Sequence, residues 1–146
     1  MMWLLDTNVI SELPKHKASP DVVRWIESKL QTSLFVSEVT FAELRFGIER
    51  CAELEKRSRL EVWLREVVRM QFEDRSLAIS ENILFRWRLI AHQVGNRGRN
   101  LPQADALIAA TAAEHRLVVC SRDVVPYQIA GVPVINPWTG ERFNGA

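Results

Sequence analysis

Two isolated aspartates, Asp6 and Asp105, have the sequence surroundings that point most directly to chemistry. Asp105 is the only charged residue in the segment 102–113, and Asp6 directly follows the apolar start of the chain. A helix that is apolar on all sides is buried, and a buried carboxylate is destabilising unless a cation or hydrogen-bond donors compensate its charge. The pattern therefore indicates that the two carboxylates share a metal ion rather than forming two separate salt bridges.

Two further acids, Glu43 and Asp123, extend this candidate site. Asp123 follows an apolar run rich in β-branched residues, as Asp6 follows the apolar start, and Glu43 lies among apolar neighbours. If the two runs are parallel strands, Asp6 and Asp123 lie at the same edge of the sheet. Clustered carboxylates repel one another without a cation, and ligands of this kind suit Mg²⁺ or Mn²⁺ better than Zn²⁺.

Each of these acids also has an ordinary structural interpretation. Asp6 can cap a helix that begins near Thr7, and Asp105 can be stabilised by the helix dipole in its first helical turn. Glu43 alone is better explained as a surface residue that pairs with a nearby arginine, and Asp123 alone as a turn residue. The metal site is favoured because three acids occupy matching positions, after one strand, near a helix start and after another strand.

The elements that must position the acids alternate between strands and helices. Strands are predicted at residues 3–5, 33–36, 77–79, 117–120 and 132–135, and helices at 20–30, 38–50, 53–69 and 80–94. A further helix holds Asp105, with Pro102 in its first turn and Ser37 as the predicted cap of helix 38–50. The predicted apolar face of helix 53–69 consists of Leu54, Leu60, Leu64, Val67 and Val68. This order predicts an α/β fold with a mostly parallel sheet, in a single domain of residues 1–146.

Composition and charge narrow the class of protein. The net charge of +1 excludes a polycation that coats nucleic acid, and no apolar run reaches the about 18 residues of a membrane span. The N-terminus does not resemble a secretory signal. Cys51 and Cys120 have no metal-ligand spacing and are expected to be free thiols. We therefore expect a cytoplasmic protein that does not enter a membrane.

Five segments carry a more specific signal: residues 4–10, 42–47, 104–112, 121–123 and 132–138. In this order they resemble the motifs of PIN-domain ribonucleases, and most closely the VapC/FitB-type toxins of bacterial toxin–antitoxin pairs. The resemblance implies a three-layer α/β/α fold and Mg²⁺- or Mn²⁺-dependent hydrolysis of RNA phosphodiesters. It also implies a small DNA-binding antitoxin as partner and a homodimer.

The resemblance assigns the acidic positions residue by residue. Its four catalytic positions are filled by Asp6, Glu43, Asp105 and Asp123. Asp6, Asp105 and Asp123 would bind the metal. Thr7 and Asn8 match the polar residues that support the first aspartate. The fourth acidic position varies in this family, and Pro126 stands where many relatives carry a further aspartate.

Basic and aromatic side chains are candidates for contact with RNA. Arg97 and Arg99 lie in the loop before the Asp105 helix and are predicted to meet RNA phosphates, although a solvated loop explains them equally well. The tryptophans are Trp3, Trp25, Trp63, Trp87 and Trp138. Tryptophan can stack on bases, but the helical and strand positions of these residues favour packing in the core or in a dimer.

Two other functions remain open from the residues alone. A haloacid-dehalogenase-like phosphohydrolase also begins with a strand and an aspartate, but it has a second acid two residues later, where this chain has Asn8. It also uses a lysine in the second half, whereas the lysines here are Lys15, Lys17, Lys29 and Lys56. The second alternative is a non-enzymatic module whose acids bind a basic peptide. Metal-dependent cleavage of RNA separates these possibilities.

Overall fold

A six-stranded, mostly parallel sheet forms the centre of this computed structural model, which describes residues 1–145. Its strands are β1 (Trp3–Leu5), β2 (Leu34–Ser37), β3 (Ser76–Leu77), β4 (Val118–Cys120), β5 (Val134–Ile135) and β6 (Arg142–Phe143). They lie in the order β3-β2-β1-β4-β5-β6, and only the pairing of β5 with β6 is antiparallel. The predicted α/β class with a mostly parallel sheet is confirmed.

Helices cover both faces of this sheet. They are α1 (Thr7–Glu12), α2 (Pro20–Glu27), α3 (Glu38–Glu49), α4 (Leu54–Trp63), α5 (Arg69–Gln71), α6 (Glu81–Asn96), α7 (Gln103–His115) and α8 (Val125–Ala130). Alternate residues of a strand face opposite sides, so Trp3 and Leu5 pack against α1 to α4 while Leu4 packs against α6 to α8. The two apolar clusters give the predicted three layers. No helix among residues 1–145 is long and apolar enough to cross a membrane.

The parallel strands bring several chain segments to one edge of the sheet. Leu5 pairs with Cys120, and the Asp6 N–H donates to the Cys120 carbonyl at 2.9 Å. The Ser37 side chain caps α3 by accepting from the Val39 N–H at 3.1 Å, as predicted. Since α7 ends just before β4 begins, its first turn lies at the opposite end, beside the carboxyl ends of the strands. This edge therefore receives the starts of α1, α3 and α7.

Three features differ from the sequence predictions. Helix α8 and strand β6 were not predicted, because each is short and lacks a clear apolar period. The predicted helix 53–69 is interrupted by a π-helical turn at Leu64–Val68. A π turn changes which residues lie on one face. Leu64 and Val68 of the predicted apolar face are buried, whereas Leu54 and Val67 are exposed, so the prediction was wrong for these last two residues.

Candidate active site

The four predicted acids lie around one cleft at the carboxyl edge of the sheet. This acidic cleft has a volume of about 400 Å³ and is lined by Asp6, Thr7, Asn8, Ser11, Glu12, Lys15, Glu43, Asp105, Arg122, Asp123 and Trp138. Asp6 is buried, Asp105 is partly buried, and Glu43 and Asp123 are exposed. The fold thus brings together residues that are more than a hundred positions apart in the sequence.

Asp6 is held rigidly by hydrogen bonds at the end of β1. Its Oδ1 accepts from the Thr7 N–H at 2.7 Å, so it caps α1 as the ordinary interpretation predicted. Its Oδ2 accepts from the hydroxyls of Ser121 and Tyr127, each at 2.7 Å. These donors compensate a carboxylate that is only 5% exposed. Burial, followed by the charge of Asp6, raises the pKa of Tyr127 well above its usual value, so this hydroxyl remains a donor.

Glu43 is positioned by α1 rather than by an arginine. The Thr7 hydroxyl donates to Glu43 Oε1 at 2.6 Å and also lies 3.1 Å from the Thr40 hydroxyl. Thr40 is fully buried in α3, one turn before Glu43. No ion pair of Glu43 is found among residues 1–145, so its interpretation as a paired surface residue was wrong. Thr7 therefore links the first two acids, since its backbone contacts one and its side chain the other.

Asn8 fixes the segment that carries Asp123. Its Nδ2 donates to Ser121 Oγ at 3.1 Å, and its Oδ1 accepts from the Arg122 N–H at 3.1 Å. On the other side, Asn136 Nδ2 donates to the Arg122 carbonyl at 3.2 Å. The backbone of Arg122 is thus bound from two directions, which directs the neighbouring Asp123 toward the acidic cleft.

Asp105 carries the electrostatic signature of the site. It lies in the first turn of α7, and its pKa is raised from 3.8 to about 6. Burial is the largest cause, and the charges of Asp6, Asp123 and Glu43 follow in that order. The start of a helix lowers the pKa of a carboxylate, but at Asp105 this effect does not outweigh desolvation and three like charges, which raise the pKa. The raised pKa is the direct sign that the four carboxylates share one electrostatic environment.

The donor chemistry of this cleft fits a divalent cation. All four acids offer carboxylate oxygens, which Mg²⁺ and Mn²⁺ prefer, and the raised pKa of Asp105 reflects repulsion that a cation would relieve. As they stand, no three His, Cys, Asp or Glu side chains among residues 1–145 are grouped closely enough to hold an ion. Metal binding therefore requires the less restrained carboxylates to turn inward.

Several side chains of the site were missed or misjudged from the sequence. Tyr127 was not predicted, although it is the only tyrosine of the chain and lies in an apolar segment just after Asp123. Trp138 packs against the core as predicted, but it also lines the acidic cleft, with the Arg122 guanidinium 5.2 Å from its ring centre. Arg97 does not line this cleft. Its guanidinium donates to the Ile129 carbonyl at 2.8 Å.

The fold and the arrangement of acids define the class of protein. The PIN domain family matches residues 3–132, a segment that includes all four acids. The chain belongs to the PIN domain family, which confirms the resemblance inferred from the motifs.

The chain is also similar to individual relatives over nearly its whole length. VapC ribonuclease Y4jK of Sinorhizobium fredii is 35% identical over 137 residues, which cover 94% of this chain and 98% of that protein. Toxin FitB of Neisseria gonorrhoeae is 35% identical over 137 residues, with 94% of this chain and 99% of that protein covered. The crystal structure of FitAcB from Neisseria gonorrhoeae superposes with a TM-score of 0.90 at 35% identity, covering 94% of this chain and 99% of that chain.

Proposed function

We propose that this chain is a Mg²⁺- or Mn²⁺-dependent endoribonuclease that hydrolyses RNA phosphodiester bonds in the acidic cleft. The observation that carries the proposal is the convergence of Asp6, Glu43, Asp105 and Asp123 on one cleft, where burial and the other three charges raise the pKa of Asp105. Membership of the PIN domain family and 35% identity to a protein named a VapC ribonuclease support it.

The residues of the acidic cleft have different proposed roles. Asp6, Asp105 and Asp123 would hold the cation, and Glu43, oriented by Thr7, would position the attacking water. A bound divalent ion supplies neutralisation of phosphate charge and increases the acidity of water. Arg122 also lines the cleft and is the side chain suited to a phosphate oxygen, because guanidinium binds phosphate in a planar fork.

Asn8 disfavours the phosphohydrolase alternative. In that chemistry a second acid would stand at this position, whereas here both ends of the Asn8 amide are occupied by Ser121 and the Arg122 backbone. Asn8 is therefore a structural support of the loop, and its amide lacks the carboxyl group that this chemistry uses as an acid. This observation favours phosphodiester hydrolysis.

The direct test measures cleavage of an end-labelled single-stranded RNA with Mg²⁺, with Mn²⁺ and with EDTA. Asp105→Asn is the informative variant, because the Asp105 side chain forms no hydrogen bond among residues 1–145 that the change would remove. Glu73→Gln, an exposed residue outside the cleft, is the matched control for loss of one negative charge. We expect metal-dependent cleavage by the wild type and the control and none by Asp105→Asn. Hydrolysis of p-nitrophenyl phosphate in place of RNA would show that the function is wrong.

The family also suggests a regulatory partner. Toxins of the type that this chain resembles are inhibited by a small antitoxin, and one similar protein is named toxin FitB. We propose that a basic antitoxin residue enters the acidic cleft and contacts Glu43, Asp105 or Asp123, because arginine pairs well with carboxylates. The antitoxin should then compete with Mg²⁺. Equal inhibition after its basic residue is replaced would place the contact elsewhere.

A homodimer is the second proposed assembly. Helix α6 exposes Leu84, Phe85 and Leu89, an apolar strip that a second copy would cover. Light scattering after size-exclusion chromatography measures the assembly directly. We expect Phe85→Glu to shift a dimer toward monomer, while an unchanged mass would show that this strip is not the interface.

A further inference from the structure

A second and larger cleft opens directly beside the acidic cleft. It has a volume of about 690 Å³ and lies between α1, α3 and α4. The two clefts share four lining residues, Thr7, Ser11, Lys15 and Glu43. We call it the basic cleft, because its lining includes the cations Lys15, Lys56 and Arg59, together with His16. A polymer that passes through one cleft can continue into the other without leaving the surface.

Two cations of the basic cleft are available to an anionic ligand, whereas Lys15 pairs with Glu12 at 3.0 Å. Lys56 and Arg59 form no ion pair among residues 1–145, and both are exposed. Arg57, between them in sequence, points elsewhere and pairs with Glu49 at 2.9 Å and Glu61 at 3.2 Å. The helix therefore pairs Arg57 with acids and leaves the two cations that line the cleft without an ion pair among residues 1–145. Such a pattern is complementary to phosphate groups.

The floor of the basic cleft is apolar. Leu44 and Ile48 of α3 and Leu60 and Trp63 of α4 form it. Trp63 is partly exposed, so one part of its ring faces the cleft. Phosphates alone do not need an apolar floor, whereas the unstacked bases of a single strand pack on aromatic and apolar side chains. In a base-paired duplex the faces of the bases are stacked on one another and cannot pack on these side chains.

We propose that the basic cleft binds the single-stranded RNA that flanks the bond cut in the acidic cleft. In this arrangement Lys56 and Arg59 contact backbone phosphates, Trp63 stacks on a base, and Lys15 lies at the junction of the two clefts. The inference rests on the proposed ribonuclease function and adds to it the strandedness of the substrate and its path. The exposed cations Lys56 and Arg59 would repel a strongly basic peptide in the same place.

Binding is tested with a fluorescently labelled single-stranded RNA of about twelve nucleotides. Its anisotropy is measured in EDTA, with the full chain, across a range of KCl concentrations. For Lys56→Ala/Arg59→Ala we expect roughly tenfold weaker binding, and a slope of log K against log salt that is smaller by about 1.4, or about 0.7 for each lost phosphate contact. Arg88→Ala/Arg116→Ala removes the same charge outside both clefts and should change neither quantity.

The stacking contact is tested by Trp63→Leu, which keeps an apolar side chain in the floor but removes the aromatic face. We expect affinity for the single strand to fall roughly five- to hundredfold, with little effect on the salt slope, and Trp63→Phe to restore most of it. Circular dichroism checks that both variants are folded. A Trp63→Leu variant that is folded and binds with wild-type affinity would overturn the stacking assignment.

Cleavage assays separate this inference from the proposed function. If the wild type cleaves the RNA and Lys56→Ala/Arg59→Ala raises KM with kcat retained, the path through the basic cleft is supported. If that variant equals its control in both constants and in affinity, the cleft proposal is wrong while the nuclease proposal stands. If it retains RNA affinity but loses affinity for the cognate antitoxin, the cleft is a protein-docking site and the proposal is equally wrong.

Discussion

Asp105→Asn should stabilise the metal-free protein at neutral pH and much less in mild acid. The pKa of Asp105 is raised from 3.8 to about 6, so the folded state binds its proton more tightly than the unfolded state does. Stability is therefore lost as pH rises from near the unfolded pKa through the folded pKa. Asparagine removes this titration and, since no hydrogen bond to Asp105 is found among residues 1–145, it removes no donor or acceptor contact.

The size of the effect follows from the shift. A change of about 2 pKa units corresponds to about 3 kcal/mol above pH 6, and this figure is an upper limit. Asp105 is partly exposed, so solvent screening reduces the expected gain to about 1–2 kcal/mol. At about 3 °C per kcal/mol for a chain of this length, the melting temperature should rise by several degrees.

Urea unfolding of the wild type and Asp105→Asn, in EDTA at about pH 4.5 and about pH 7.5, measures this gain. Glu73→Gln is the control, because it removes one exposed carboxylate away from the acidic cleft. We expect the advantage of Asp105→Asn to be clear at the higher pH, to shrink at the lower pH, and to disappear when Mg²⁺ is added. An equal or lower stability of Asp105→Asn at both pH values would show that burial and the other acids do not destabilise the Asp105 carboxylate.

Four further outcomes are expected. Mg²⁺ at ten times its Kd should stabilise the wild type by about 1.4 kcal/mol in thermal melts, and the absence of a shift at millimolar metal would contradict a cation site. Asp6→Asn should abolish cleavage but also destabilise the chain by about 1–3 kcal/mol in urea unfolding, because an amide cannot accept all three bonds that Asp6 accepts. Tyr127→Phe should lower stability by about 1.5–3 kcal/mol in the same assay, and wild-type stability would show that the bond to Asp6 is unimportant. Arg99→Ala should weaken RNA binding and reduce the slope of log K against log salt by about 0.7. Arg97→Ala should act mainly through loss of its hydrogen bond to the Ile129 carbonyl. Unchanged slopes in both variants would show that the loop is solvated and does not contact RNA.

The parts of the fold that could be predicted from sequence are those with a local signal. Leu4 and Val119 lie in short apolar runs, which are typical of buried parallel strands, and Ser37 directly precedes an apolar-periodic helix. The position of Asp6 after β1 and of Asp105 in the first turn of α7 followed from the same local rules. The parallel sheet then required both to lie at one edge.

The parts that could not be predicted depend on contacts between distant segments. The bond from Tyr127 to Asp6 spans 121 positions, and no local pattern indicates it. Trp63 packs against the core, as its helical position predicted, but it also lines the basic cleft, which forms only where α1, α3 and α4 meet. Helix α8 is only six residues long, so it depends on packing rather than on its own propensity.

The hydrogen bonds of the site also predict how its carboxylates share the binding of a cation. Asp6 accepts three bonds and is buried, so its position is fixed by the fold before any ligand arrives. Glu43 accepts one bond from Thr7, while the side chains of Asp105 and Asp123 accept none among residues 1–145. A cation would therefore meet one rigid carboxylate and others that can rotate toward it. Burial and the charges of the other three acids raise the pKa of Asp105, so a cation that binds there would relieve repulsion at this residue and favour closure of the site.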